Sequence, residues 1–211
     1  MKKFAYATLA AVALAAVVSP AVATDSGWWN QSESAVKATL KRQNIGGADR
    51  MRAFALCSVK RNPAAVEKLL VTRQESLEER AASRRLTQMN FDCLPEGDFT
   101  LGGMSVRGSL AEAMFWTAHA ATNLESLSVR ADEVGEKERF ADCAVDGQLI
   151  EVRALIATAP KSEGEGAALS PLMPRLRECI ANTNFSSMDN ASARSLMAEA
   201  LYRAAKRGGE G

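Results

Sequence analysis

The amino-acid sequence predicts an all-α protein of two pseudo-symmetric helical repeats, each of about four helices and one disulfide. Apolar residues make up 47% of the chain and aromatic residues only 6%, and alanine is frequent, which favours helix over strand. The stretch Ala55–Leu94 also recurs 86 positions later as Ala141–Ile180. A unit repeated at a fixed offset is typical of a duplicated supersecondary structure.

The N-terminal residues have the order of an export signal. Two lysines precede an apolar run from Phe4 to Val18, and the small residues Ala21 and Ala23 follow it in the pattern that signal peptidase cleaves. The run of about 15 residues is short of the roughly 20 needed to span a bilayer. We therefore expect residues 1–23 to be a signal peptide, Thr24 to begin a periplasmic or secreted protein, and no stable membrane span to remain after cleavage.

The charge of the mature chain is close to balanced. Removal of Lys2 and Lys3 leaves 24 basic and 25 acidic side chains. Such a chain has no net charge to steer it toward a polyanion, so we expect no nucleic-acid partner.

The four cysteines are interpreted as disulfides because the predicted compartment is oxidising. Cys57 and Cys93 lie 36 residues apart, as do Cys143 and Cys179. The repeat favours pairing within each copy, although pairing Cys57 with Cys179 and Cys93 with Cys143 also respects it. Each within-copy bridge closes a loop of about 37 residues and stabilises the fold by about 4 kcal/mol on the chain-entropy model.

Composition and the repeat divide the chain into segments. They are the signal peptide (1–23), a semi-ordered segment (24–48), helical repeat 1 (49–131), helical repeat 2 (132–207) and a disordered tail (208–211). In the second segment, Trp28 and Trp29 can pack on the protein's own core or on a partner, and the core is the expected site. The junction near Asp132–Gly135 is short, so the copies should pack together.

Local signals place the first helices of repeat 1. Asp49 can cap a helix that ends before Asn62, and Pro63 can start the next one. Ser76 and Glu79 form a capping-box pattern at the start of the third helix. The expected buried positions of the second and third helices are Val66, Leu69, Leu70, Ala82, Leu86, Met89 and Cys93.

Charged residues on the third helix of repeat 1 mix both signs. The arginines are Arg73, Arg80, Arg84 and Arg85, and the interleaved acids are Glu75, Glu78 and Glu79. This mixture predicts a solvated face. The fourth helix should bury Val106, Leu110, Ala113, Met114 and Thr117 and run through His119 toward Leu127.

Repeat 2 retains mainly core, cap and cysteine positions. Thirteen of the 40 residues from 54 to 93 recur at the offset of 86. Pro171 and Pro174 are the useful departure, because proline interrupts a helix. The third helix of repeat 2 should split near Ser170, which can cap the restarted piece, and the last helix should cover 191–207.

No motif predicts a reaction. His119 is the only histidine and lies in an apolar run, which favours a structural role, and the cysteine spacing does not suit zinc. The sequence contains no phosphate-binding glycine loop, metalloprotease motif or serine-nucleophile motif. We expect no catalytic residue, metal or cofactor.

One charged pattern recurs in both copies: Arg107 with Glu112, and Arg194 with Glu199. A spacing of five places the two side chains about 140° apart around a helix, too far for an ideal pair within it. Each side chain should meet a partner on another helix, across a pseudo-twofold axis or at a loop carbonyl. The alternative is a polar pocket for an anionic ligand. A third hypothesis pairs Glu112 with Glu199 as the carboxylates of a hydrolase acting on an envelope polymer.

The pattern carried by residues 55–59 (ALCSV) and 198–202 (AEALY) resembles exported proteobacterial proteins with two cysteine-containing helical repeats and no known activity. The resemblance implies export and duplication but no reaction. We therefore expect a non-enzymatic binding or interaction module of the bacterial cell envelope, with a protein or other envelope component as its partner and an oligomeric state left open.

Overall fold

The computed structural model describes residues 47–94, 103–129, 135–185 and 188–209, and these residues form helices and no strands. Residues 47–129 are called the first half below, and residues 135–209 the second half. The α-helices in chain order are α1 (Gly47–Arg61), α2 (Pro63–Leu70), α3 (Leu77–Met89), α4 (Gly103–Met114), α5 (Glu136–Val145), α6 (Leu149–Ile156), α7 (Glu163–Leu169), α8 (Met173–Ala181) and α9 (Asn190–Gly209).

Helices α4 and α9 form the most extensive helix pair in the described part of the chain. They cross closely at Gly108, where an added Cβ would lie 2.6 Å from the Cα of Ser195. Only glycine permits this approach. Helix α1 packs on α4, and α5 and α6 pack on α9, so the core is built outward from the central pair.

One disulfide lies in each half. Cys57 bonds to Cys93, and Cys143 bonds to Cys179, with Cα–Cα distances of 5.6 and 5.9 Å. The pairing within each copy is therefore confirmed, and the alternative pairing is excluded. The arrangement of the halves as pseudo-symmetric units stays a prediction.

The prolines act as the sequence predicts. Asn62 separates α1 from α2, and Pro63 occupies the first position of α2. In the second half the helix breaks at a 3₁₀ turn, Ser170–Leu172, before α8 begins. The cap assigned to Ser170 is wrong, because this residue lies inside the turn and makes no side-chain cap bond.

Several local predictions differ from the structure. Helix α1 begins at Gly47, so Asp49 lies in its first turn instead of capping it. Thr117 is exposed because α4 continues as a π-helical segment, Phe115–His119, whose wider turns change which side chains face the core. Phe115 is fully buried instead.

Two boundary predictions also need correction. Met89 is 47% exposed because α3 ends there and the chain reaches Cys93 through a separate 3₁₀ turn. Helix α9 extends to Gly209, two residues past the predicted end. The predicted signal peptide, Trp28 and Trp29, and most of the junction between copies lie outside the described residues.

Candidate functional site

Arg107 lies where α2 ends. A helix leaves its last carbonyl groups without partners in the helix, and these carry the negative end of its dipole. Arg107 Nη1 donates to the Leu69 carbonyl at 2.8 Å, and Nη2 donates to the Leu70 carbonyl at 3.1 Å. Nη2 also lies 3.2 Å from the carbonyl of Thr72, and the residue as a whole is only 2% exposed. The guanidinium therefore caps the C-terminus of α2 inside the protein.

The other side of the same guanidinium binds the opposite half. Arg107 Nε and Nη2 donate to Glu199 Oε2 on α9 at 3.0 and 2.8 Å. Gln74 Nε2 donates to the remaining oxygen of Glu199 at 3.3 Å. A buried carboxylate with three donors is well satisfied, so this ion pair fixes α9 against the end of α2.

Arg194 makes the corresponding contacts in the second half. It donates to the carbonyls of Leu155 and Ile156 at the end of α6, at 3.1 and 3.2 Å. Its Nε and Nη2 donate to the two oxygens of Glu112 on α4, at 2.8 and 3.0 Å. Each half therefore supplies an arginine to cap its own helix and a glutamate to bind the arginine of the other half.

Glu79 and Glu165 complete the two clusters. Their backbone N–H groups donate to Ser76 Oγ at 3.0 Å and Ser162 Oγ at 3.1 Å, which confirms the first part of the capping box. The glutamate side chains do not return to the capping serines. Glu79 accepts from the backbone N–H of Glu75, and Glu165 accepts from the backbone N–H of Lys161. These two donors come directly before the capping serines, and each has a φ of 64°. The same carboxylates accept from Arg107 and Arg194 at 3.3 and 3.1 Å.

The electrostatics of the clusters keep both arginines charged. Burial alone lowers the pKa of Arg107, but the charge and hydrogen bonds of Glu199, with the charges of Glu79 and Glu138, raise it above the ordinary value. The pKa of Arg194 is raised in the same way, against burial, chiefly by Glu112 and then by Glu165. Burial raises the pKa of Glu199, and the charges of Arg107 and Arg203 oppose that shift.

The structure thus brings the four sequence-selected residues into two ion pairs that join the halves. Arg107, Glu112, Arg194 and Glu199 are all at most 5% exposed. Their polar atoms face carbonyls, hydroxyls and each other, so these contacts hold helices together.

His119, the only histidine of the chain, lies at the end of the π-helical segment. Its ring stacks edge-on with Tyr202, with the centroids 5.6 Å apart. In the described ranges, no three His, Cys, Asp or Glu side chains are grouped as a metal site requires.

A second feature lies on the outer side of the first half. Helices α2 and α3 enclose a groove of about 520 Å³. We call it the α2–α3 groove. Its lining residues are Ala64, Ala65, Lys68, Thr72, Glu78, Ala81, Ala82, Arg85, Leu86 and Met89. The alanines, Leu86 and Met89 supply its apolar surface, and the charged side chains Lys68, Glu78 and Arg85 are exposed.

Most of the exposed large apolar side chains lie on the elements that form the α2–α3 groove or on the turns beside them. In the described residues, the large apolar side chains that face solvent are Val71 (68%), Leu77 (74%), Met89 (47%), Phe91 (72%) and Ile150 (41%). All but Ile150 belong to α2, α3 or the turns beside them. Of these four side chains, Met89 also lines the groove, whereas Leu77 lies at the other end of α3.

The second half lacks this surface. At the offset of 86, the positions of Leu77, Met89 and Phe91 hold Glu163, Arg175 and Arg177. Instead, Leu169 and Leu176 are buried, where the first half has Ser83 and Asn90. The apolar residues of the second half therefore lie inside the fold, whereas those of the first half lie partly on its surface.

The sequence interpretation missed the α2–α3 groove. It assigned Met89 to the core and placed Arg85 on a merely solvated face. The signal available in the sequence was the difference between the copies. Where an apolar residue of the first copy aligns with a charged residue of the second, the core does not require an apolar side chain at that position. The end of α3 at Met89 places this side chain outside the core.

Within the described ranges, no helix is both long and apolar enough to cross a bilayer. Comparisons of the whole chain with protein-family models, with curated proteins and with solved structures found no match.

Proposed function

We propose that the protein is an exported helical binding module of the bacterial cell envelope, and that its partner contacts the α2–α3 face of the first half. The exposed apolar side chains of α2, α3 and the turns beside them carry the proposal. Leu77 and Phe91 are each more than 70% exposed, although charged residues at these positions are compatible with the same helical unit in the second half. Several exposed apolar residues on one pair of helices, at positions that the fold does not require to be apolar, support a partner-binding face.

Export is supported by two separate features. The first residues have the pattern of a signal peptide, and both disulfides are compatible with an oxidising compartment. The resemblance to exported proteobacterial proteins agrees with a periplasmic or secreted location.

The paired-carboxylate hydrolase is the weaker proposal. A glycosidase-type reaction needs two carboxyl groups that reach the substrate. Glu112 and Glu199 are 5% and 2% exposed, and each is held by an arginine of the opposite half. Opening either carboxyl to a substrate would break a buried ion pair.

Crosslinking of the full chain in its native envelope tests the proposed function. The test variant is Met89→Arg with Phe91→Arg, which introduces the residues found at the same positions of the second half. Ile150→Arg, on the second half, is the matched control because Ile150 is also exposed. The free energy of unfolding of each variant should lie within about 0.5 kcal/mol of that of the parent, as is usual for surface substitutions.

The expected result is a crosslinked envelope component that the control retains and the double variant loses. Equal crosslinking by both variants, or no component enriched over an unrelated exported protein, would contradict the proposal.

A further inference from the structure

The α2–α3 groove also restricts what kind of partner can fill it. Its walls are the sides of two helices, whose backbone N–H and C=O groups bond within each helix. An extended peptide in this groove would find no backbone partners and would leave its own polar groups unpaired. A helix satisfies its own backbone and needs only side-chain contacts.

The α3 side of the groove is the longer one, because the α2 lining from Ala64 to Lys68 covers only about one turn. The lining residues of α3 run from Glu78 to Met89, which is about 17 Å of helix, or about three turns. Alanine lines both walls: Ala64 and Ala65 on α2, and Ala81 and Ala82 on α3. Small side chains let another helix approach closely, so one apolar stripe can enter between the walls.

The rim determines the charge of the partner. Lys68 stands on the α2 wall and Arg85 on the α3 wall, and both residues are exposed. Neither forms an ion pair with any described residue. The only acidic residue of the lining is Glu78, at the beginning of α3. Carboxylates on both flanks of an inserted apolar stripe would therefore meet an unpaired cation on each side.

We propose, building on the function proposed above, that the α2–α3 groove binds an amphipathic helix of a partner protein, with an apolar stripe flanked by acidic residues. The concave shape distinguishes this partner from a membrane surface, which requires a convex or flat apolar face. The charge distribution distinguishes it from a basic helix, which Lys68 and Arg85 would repel.

The test is a selection on the full exported chain with a displayed library of helical peptides about 14 residues long. Each peptide carries leucine at positions i, i+3, i+4 and i+7, and the flanking positions are random. The expected binders are enriched in Asp and Glu on both flanks. Their affinity should fall about tenfold or more for Ala81→Trp, which fills the groove, and about 3- to 10-fold for Arg85→Glu.

Ala167→Trp is the matched control, because Ala167 is the exposed alanine at the same position of the second half. It should leave peptide affinity unchanged. Enrichment of basic flanks, or binding that Ala81→Trp does not weaken, would overturn the inference. Sedimentation of the chain with vesicles of anionic phospholipid, lost on Ala81→Trp, would also overturn it in favour of a membrane.

The two proposals fail in different ways. If the envelope crosslink depends on Met89 and Phe91 but no acidic-flanked peptide is selected, the binding face stands and its helical, acidic partner is wrong. If neither experiment involves the α2–α3 face, both proposals are wrong.

Discussion

The two halves share the contacts of their buried arginines and differ in the helices that follow α2 and α6. At the centre, Arg107 and Arg194 make the same kinds of contact: two carbonyls at a helix end, a threonine, a glutamate of the same half and a glutamate of the other. At the edge, α3 is one continuous helix beside an open groove, whereas α7 and α8 are separated by a 3₁₀ turn and bury two further leucines.

The difference separates structural from functional residues. Most positions that recur in both copies cap helices, fill the core or form disulfides, so their recurrence is explained by the fold. Ala81, which recurs as Ala167 and is exposed in both halves, is an exception. The exposed residues Leu77, Met89 and Phe91 do not recur and have no such explanation. Substitutions at recurring positions should therefore change the free energy of unfolding. Substitutions at the exposed apolar positions of the first half should instead change binding.

The largest expected effect is the loss of a central arginine. Arg107→Met leaves Glu199 buried without its cation, and it should lower the free energy of unfolding by about 3–5 kcal/mol in urea titrations. Arg194→Met should cost a similar amount. Arg61→Met is the control: its ion pair with Asp92 is exposed, so its loss should cost at most about 1 kcal/mol. A cost below about 1 kcal/mol for either central variant would show that its network does not hold the halves together.

Removal of one disulfide is the next largest effect. The two bridges span the same 36-residue separation, so chain entropy predicts the same loss of about 4 kcal/mol for Cys57→Ser with Cys93→Ser as for the second pair. Unfolding of the two double variants, with peptide mass spectrometry to verify the remaining bridge, measures this. A difference above about 2 kcal/mol would mean that the halves differ in stability as well as in surface.

Two glycines should respond with opposite signs. Gly108→Ala places a Cβ 2.6 Å from the Cα of Ser195 and should destabilise the protein by about 1–3 kcal/mol, because α4 and α9 must separate. Gly166→Ala on α7 meets nothing within 4 Å and should stabilise it by up to about 1 kcal/mol through helix propensity. Thermal unfolding distinguishes the two. Destabilisation by Gly166→Ala would contradict the open space at this position of α7.

The smallest effect is a pH dependence at the start of α9. The Ser192 N–H donates to Asp189 at 2.7 Å, and this bond lowers the pKa of Asp189 below 3.8. A lowered carboxyl pKa in the folded state stabilises the protein above the ordinary pKa, and this stabilisation is lost as the pH falls through the folded value. Asp189→Ala should cost about 1 kcal/mol at pH 7, and this cost should shrink as the pH falls through the lowered pKa of Asp189 in the folded state. A cost that does not change with pH would contradict the cap.

Much of the fold follows from local signals in the sequence. Pro63, the split caused by Pro171 and Pro174, and the caps at Ser76 and Ser162 depend on a few adjacent residues. The repeat favours the observed cysteine pairing, but the structure was needed to exclude the crosswise one. The choice of partner for Arg107 was one of several that the sequence left open, because α4 and α9 meet only in three dimensions. Thr117 was assigned to the wrong face because an α-helical period does not anticipate a π-helical turn.

The exchange of arginine and glutamate between halves has a consequence for each half by itself. Arg107 binds Glu199 while Arg194 binds Glu112, which is the reciprocal contact pattern of an isologous homodimer joined into one polypeptide. Either half alone would carry one arginine and one glutamate that both lack a counterpart. Expressed separately, it would have to find a second molecule of itself, or of the other half, before its helix ends and charges were satisfied.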